Sequence, residues 1–215
     1  TALYNYTEGY GSYLIPAVMM IIIFQTLLMV IGMVTGEEYS SDGIRTYAPF
    51  GHTWAAAIRI VAGKTFVYCG LYAIFSFFLL GLLPYFFSIP NIGNGLYIVL
   101  LMIPYLIATS FLGLAASRYF TDSEAPLLMI AFFSVGLIFL SGVSYPMELM
   151  PWYWKAAHYI LPAAPATLAF VQLNSMGASM ADIRPEYITL WIQVLVYFIL
   201  SIWVYQKKLQ KSQLR

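Results

Sequence analysis

In "RIVAGKTFVY", residues 59–68, the triplet Gly63-Lys64-Thr65 has the closing letters of a phosphate-binding loop. The lysine and backbone N–H groups of such a loop hold nucleotide phosphates. The motif also needs a glycine five residues before Gly63, and Ile58 stands there. It needs a buried strand before it and a soluble helix after it, whereas this triplet opens an apolar run. Lys64 is therefore expected to snorkel its ammonium to the headgroups rather than to grip a phosphate. His52 and His158 lie far apart without metal-ligand spacing, so no metal site is expected. Glu148 and His158 could meet at one surface, but alone they make no hydrolytic centre, and no catalytic residue is assigned. Cys69 is the single cysteine, which rules out an internal disulfide.

The elements that carry these residues follow from composition. The 215 residues are 61% hydrophobic and 9% charged, against about 25% charged in a soluble domain. A net charge of +1 advertises no nucleic-acid partner. A bilayer core of about 30 Å takes roughly 20 apolar residues as helix. Five stretches qualify: residues 13–35, 65–87, 96–117, 126–145 and 188–205, none containing Asp, Glu, Lys, Arg or His. The expected fold is an all-α membrane protein with five transmembrane helices. Arg45, Arg59, Lys64, Arg118, Lys207, Lys208, Lys211 and Arg215 fall on one side of these spans, and only Lys155 and Arg184 on the other. Lys and Arg gather on the cytoplasmic side. The N-terminus is then outside, and the tail 206–215 is cytoplasmic.

Two connections are too long to be simple turns. Residues 36–64 begin with acidic side chains, and "HTWAAAIRI" within them suits a short helix along the inner membrane surface. This segment reads as a linker with an interfacial anchor or as a docking element for a cytoplasmic partner. In the second reading Glu37, Glu38, Asp42, Arg45, Trp54 and Arg59 couple the partner to the spans. Residues 146–187 carry Pro146, Pro151, Pro162 and Pro165, which forbid one continuous helix. Two short re-entrant or interfacial helices dipping in from outside fit, as a seal or as an outer gate. Residues 1–12 would end an external region.

The spans hold no acid, which argues against a proton-driven pump. A gradient-driven transporter would need a polar pathway, and Gln25, Thr26, Thr109, Ser110, Ser134 and Gln193 are the residues that could line one. A third possibility is a scaffold that moves nothing.

Three stretches give the chain a family likeness. "YGSYLIPAVMMIIIFQTLLMVIGMVTGEE" is a span with a Tyr-apolar-apolar-Pro start and an acidic exit. "VAGKTF" opens the next span. "FLSGVSYPMELMPWYWKAAHYILPAAP" carries Ser141, Gly142, Pro146, Met150 and Pro151 in an SG-x-x-x-P-x-x-x-M-P pattern. In these the chain resembles the permease subunits of type-2 ABC exporters. The resemblance implies that a first span and most of an external domain lie outside this stretch. It implies two permease units and two separate ATPase subunits, docked on residues 36–62. ATP and Mg would belong to those partners, with no cofactor in this chain. It implies export across a plasma membrane, expected to be the bacterial inner membrane. In that reading Ser141, Gly142, Tyr145, Pro146, Met150, Pro151 and Pro162 form the outer gate.

Overall fold

The computed structural model describes residues 10–40, 53–87, 92–119, 136–145 and 149–213, with Glu124 and Pro126. Among these residues the chain is helical, without strands. The helices are α1, Tyr10–Ser40; α2, Trp54–Phe77; α3, Gly95–Ala116; α4, Trp152–Ile160; α5, Ala163–Met176; and α6, Arg184–Gln213. Beyond Phe77, α2 runs on through a π-turn at Phe78–Leu82 into a last turn at Leu83–Phe86. Pro84 explains the π-turn. It has no N–H to offer the preceding turn, and wider hydrogen-bond spacing absorbs the gap.

Four helices are long and apolar enough to cross a bilayer: Leu14–Glu38, Trp54–Phe86, Gly95–Ala116 and Arg184–Gln210. The pair α4–α5, bent by 87°, passes the same test jointly and brings the number to five if it is one span. The protein is thus a multi-pass, all-α membrane protein. The span expected at 126–145 lies mostly outside the described residues, which show helix again at 136–140.

Helix α3 is the axis of the bundle. It packs most extensively on α6 and also meets α1, α2 and α5. Leu101, Tyr105, Ala108 and Leu114 on α3 are fully buried, as are Ile23, Leu27 and Ile31 on α1. Gly113 marks a close α1–α3 approach, for a Cβ there would lie 3.0 Å from two Ile31 side-chain carbons. The Tyr105 hydroxyl donates to the Met20 carbonyl at 2.7 Å, an interhelical bond that satisfies a polar group no lipid could serve. Phe66, Val67, Ile74 and Phe77 on α2 face outward, as lipid-solvated side chains do.

Two boundaries differ from the sequence reading. Residues 54–60, expected in a separate surface helix, belong to the second span: α2 starts at Trp54 and passes unbroken through Gly63 and Lys64. Thr53 caps it, its hydroxyl accepting from the Ala56 N–H at 3.3 Å. Gly63 has open space around it and does not interrupt the helix. Likewise α6 extends well past 188–205 at both ends. Its 30 residues span about 45 Å, so Lys207 and Lys208 are helical rather than part of a loose tail.

Candidate functional site

The charged end of the bundle is where α1 finishes, α3 finishes and α6 approaches its finish. Glu38 sits in the last turn of α1 and Lys64 in the first half of α2. Lys64 Nζ donates to Glu38 Oε1 at 2.6 Å and also contacts Oε2. The same ammonium donates to the Tyr205 hydroxyl of α6 at 3.1 Å. The side chains of Lys64 and Glu38 are only 12% and 22% exposed, so the pair is largely withdrawn from solvent. Lys208, one turn beyond Tyr205, donates to the Ser117 carbonyl at 3.1 Å and to its hydroxyl at 2.9 Å. Ser117 is the C-cap of α3, whose terminal carbonyls carry partial negative charge. The Ser117 hydroxyl donates back to Leu114 O at 2.5 Å. Both lysines also lie over the Tyr205 ring, 5.2 and 5.3 Å from its centre. One knot of Glu38, Lys64, Tyr205, Lys208 and Ser117 therefore ties α1, α2, α3 and α6.

This replaces the expectation that Lys64 merely snorkels: its charge is spent on a carboxylate and a phenol. Of the other residues expected to couple, Glu37 is exposed at the end of α1, and Trp54 and Arg59 are exposed on the first turns of α2. Asp42 and Arg45 lie outside the described residues.

The opposite end is built on backbone carbonyls. A helical turn ends at Leu140, where the Ser141 hydroxyl donates to Ile138 O at 2.6 Å. Gly142 turns the chain with φ +78°, a conformation that costs glycine little. The Leu140 carbonyl, left without a partner by that ending, meets His158 Nδ1 of α4 at 2.7 Å. Nδ1 therefore carries the proton and donates. Two α6 side chains serve the end of α4: Gln193 Nε2 donates to Tyr159 O at 2.8 Å, and the Tyr197 hydroxyl donates to Ile160 O. The α2–α3 connection is fastened to α5 by Ile92 N–H donating to Asn174 O at 3.1 Å.

Among the expected gate residues, Tyr145, Met150 and Pro151 line one hollow of about 380 Å³ with Phe139 and Trp154. Ser141 and Gly142 shape the turn beside it. Pro151 precedes α4 and Pro162 precedes α5. Pro146 and Glu148 lie outside the described residues, so the pairing of Glu148 with His158 does too. Phe139 lines the same hollow without having been singled out from the sequence, and His158, weighed there only as a partner for Glu148, instead holds the Leu140 carbonyl.

The polar-pathway residues are not joined to one another. The Thr26 hydroxyl donates within its own helix to Ile22 O at 2.7 Å, and Gln25 is half-buried. Ser110 faces Cys69 Sγ at 3.7 Å. Gln193 Nε2 is engaged by α4, while its Oε1 and the Thr109 hydroxyl are buried with no hydrogen-bond partner among the described residues. Ser134 lies outside them. No hydrogen bond among the described residues links any two of these side chains. Nor do the described residues gather three metal-ligating side chains.

No curated protein and no solved structure matches the chain. The family model described as ABC-2 family transporter protein matches residues 1–203. With nearly its whole length covered, this multi-pass helical chain belongs to the ABC-2 transporter family, whose membrane subunits are permeases rather than catalysts.

Proposed function

We propose that the chain is the membrane-spanning subunit of an ATP-driven exporter and that separate soluble subunits bind and hydrolyse the nucleotide with Mg. It works as a pair of permease units in a bacterial inner membrane, with the N-terminus outside and the charged end in the cytoplasm. The observation that carries this reading is the knot around Lys64. It joins four helices at the end where the basic residues collect, so a displacement applied there reaches all of them.

The geometry supplies a lever. Helix α2 begins at Trp54, about 15 Å of helix before Lys64. Its first turns bury Ala56, Ala57, Ile60 and Val61 while presenting Trp54, Ile58 and Arg59. A soluble partner gripping Trp54 and Arg59 would move the lever. Lys64 would pass that movement to Glu38 on α1 and Tyr205 on α6. Nucleotide must favour one arrangement of the knot over another, because a ligand of equal affinity for both shifts nothing. At the other end, the hollow beside Tyr145, Met150 and Pro151 is the gate that the shift would open.

The reading is tested by reconstitution with a soluble ABC ATPase that co-purifies with this chain. Trp54→Ala with Arg59→Glu should remove stimulation of that ATPase while leaving helix content and membrane insertion intact. Full stimulation in the double variant would refute the lever. Nucleotide retained or hydrolysed by the purified chain alone would refute the division of labour.

A further inference from the structure

Next to the knot lies a second group of cations. Lys207 Nζ stands 3.7 Å from the centre of the Trp203 ring, one helical turn along α6. Arg118, just past the end of α3, places its guanidinium carbon 5.5 Å from the same ring centre and 5.1 Å from that of Tyr119. Arg118, Lys207, Trp203 and Tyr119 are all exposed.

Two positive charges from different helices converge on one indole, and among the described residues no carboxylate is paired with either. Helix α3 does not need Arg118 as its terminal cation, because Lys208 already holds the Ser117 carbonyl. Lys208 is a third positive charge at the same corner. Arg118 and Lys207 are exposed, so water screens their repulsion, and an anion arriving from outside the fold would give the two of them a shared, charge-assisted partner. The site lies at the end of two bilayer-length helices, beside an exposed Trp and Tyr of the kind that sit at headgroup level. A zwitterionic headgroup would bring its own cation to a corner that already holds three. We propose that Arg118, Lys207 and Trp203 form a binding site for the phosphodiester of an anionic phospholipid, bridging the ends of α3 and α6. This inference needs only Trp203 at a bilayer surface and stands apart from the transport reading.

Quenching of tryptophan fluorescence by brominated lipids tests it. The full chain is reconstituted in phosphatidylcholine vesicles containing a small fraction of dibrominated phosphatidylglycerol or dibrominated phosphatidylcholine. Subtracting the Trp203→Phe signal isolates Trp203 from the other tryptophans. The anionic quencher should act on Trp203 at on the order of fivefold lower membrane fraction than the neutral one. Arg118→Gln with Lys207→Gln should bring that ratio close to one, while Arg118→Lys with Lys207→Arg keeps it. If the neutralised pair does not fold, wild-type protein decides the matter: raising salt from 50 to 500 mM should shrink the preference. Inorganic phosphate at 10 mM should leave it standing. Equal quenching by both lipids in wild type would overturn the proposal. So would a preference that survives neutralisation or high salt, and displacement by inorganic phosphate would mark a free-anion site instead.

Discussion

At one end of the bundle Lys64 holds the Glu38 carboxylate and the Tyr205 hydroxyl, and Lys208 holds Ser117. At the other, His158, Gln193 and Tyr197 each reach a backbone carbonyl, at Leu140, Tyr159 and Ile160. The first set is charged and joins side chain to side chain across four helices. The second is neutral and meets carbonyls that helix endings leave unpaired. The contrast teaches what each end can do. A charged, largely buried pair is expensive to break but can be exchanged for another charge brought by a partner. A neutral donor on a carbonyl has no such exchange open to it. It holds short helices at a fixed angle, here the 87° bend between α4 and α5.

The largest effect should come from cutting the charged end. Lys64→Met leaves the Glu38 carboxylate mostly buried without its ammonium, and should lower unfolding free energy by about 3 kcal/mol. Adding Glu38→Leu removes the stranded charge and should restore most of that loss. Denaturation of the two variants in the same detergent measures both. If Lys64→Met alone proves neutral, the knot holds nothing together, and the comparison between the ends fails at its stronger limb.

The carbonyl end should respond to shape and to single hydroxyls. A Cβ on Gly93 would fall 2.6 Å from the Leu173 carbonyl oxygen, and backbone cannot step aside as a side-chain tip can. Gly93→Ala should therefore cost about 2 kcal/mol. Near the charged end, Gly113→Ala, whose Cβ meets the more yielding Ile31 side chain, should cost less. Tyr197→Phe strands the Ile160 carbonyl and should cost about 1 kcal/mol. Because no ion takes part, the Tyr197→Phe loss should be the same at 50 and 500 mM salt. A salt-dependent loss would show that charge reaches this end after all.

How much of this the sequence disclosed depends on the kind of interaction. Runs without a charged residue announced the membrane helices, because lipid leaves helical backbone few alternatives. Prolines at 151 and 162 announced the break-up of the following segment, and the structure places the starts of α4 and α5 just after them. The knot was half visible: Glu38 and Lys64 stood out as charges beside spans, but nothing in their spacing of 26 positions joins them. Tyr205 and Ser117 were invisible, being ordinary residues made important by helices that fold back from far along the chain. Gln193 looked like a pathway residue because it is polar within a span, yet it caps α4 with its neighbour one turn on, Tyr197. A polar side chain in a membrane helix announces a need for a partner. It does not announce which partner, and the nearest orphan carbonyl supplied one. The extent of α2 was misread because charge at Arg59 and Lys64 suggested a boundary, whereas helix continues wherever the backbone bonds are satisfied.

The smallest effect lies in the turn between α5 and α6, where a carboxylate holds no helix pair. Asp182 Oδ2 accepts from the Ser179 N–H and from the Ser179 hydroxyl, each at 2.8 Å. These bonds hold the Asp182 carboxyl below its ordinary value, although the group is fully exposed. Its folded-state pKa is thus depressed relative to the unfolded chain. The stabilisation it gives is present in full above the ordinary aspartate value, near 3.8, and fades as pH falls through the lower folded one. Protection of the Ser179 amide from hydrogen exchange, corrected for intrinsic rate, should stay level from pH 7 to about pH 5 and fall only below about pH 4. Asp182→Asn should lower that protection at neutral pH and abolish the acid-side fall, so that variant and wild type converge once Asp182 is protonated. Global stability should hardly move, since the turn anchors only the start of α6. Loss of protection already at pH 6, or a large drop in unfolding free energy, would place this turn with the charged end rather than with the neutral end it adjoins.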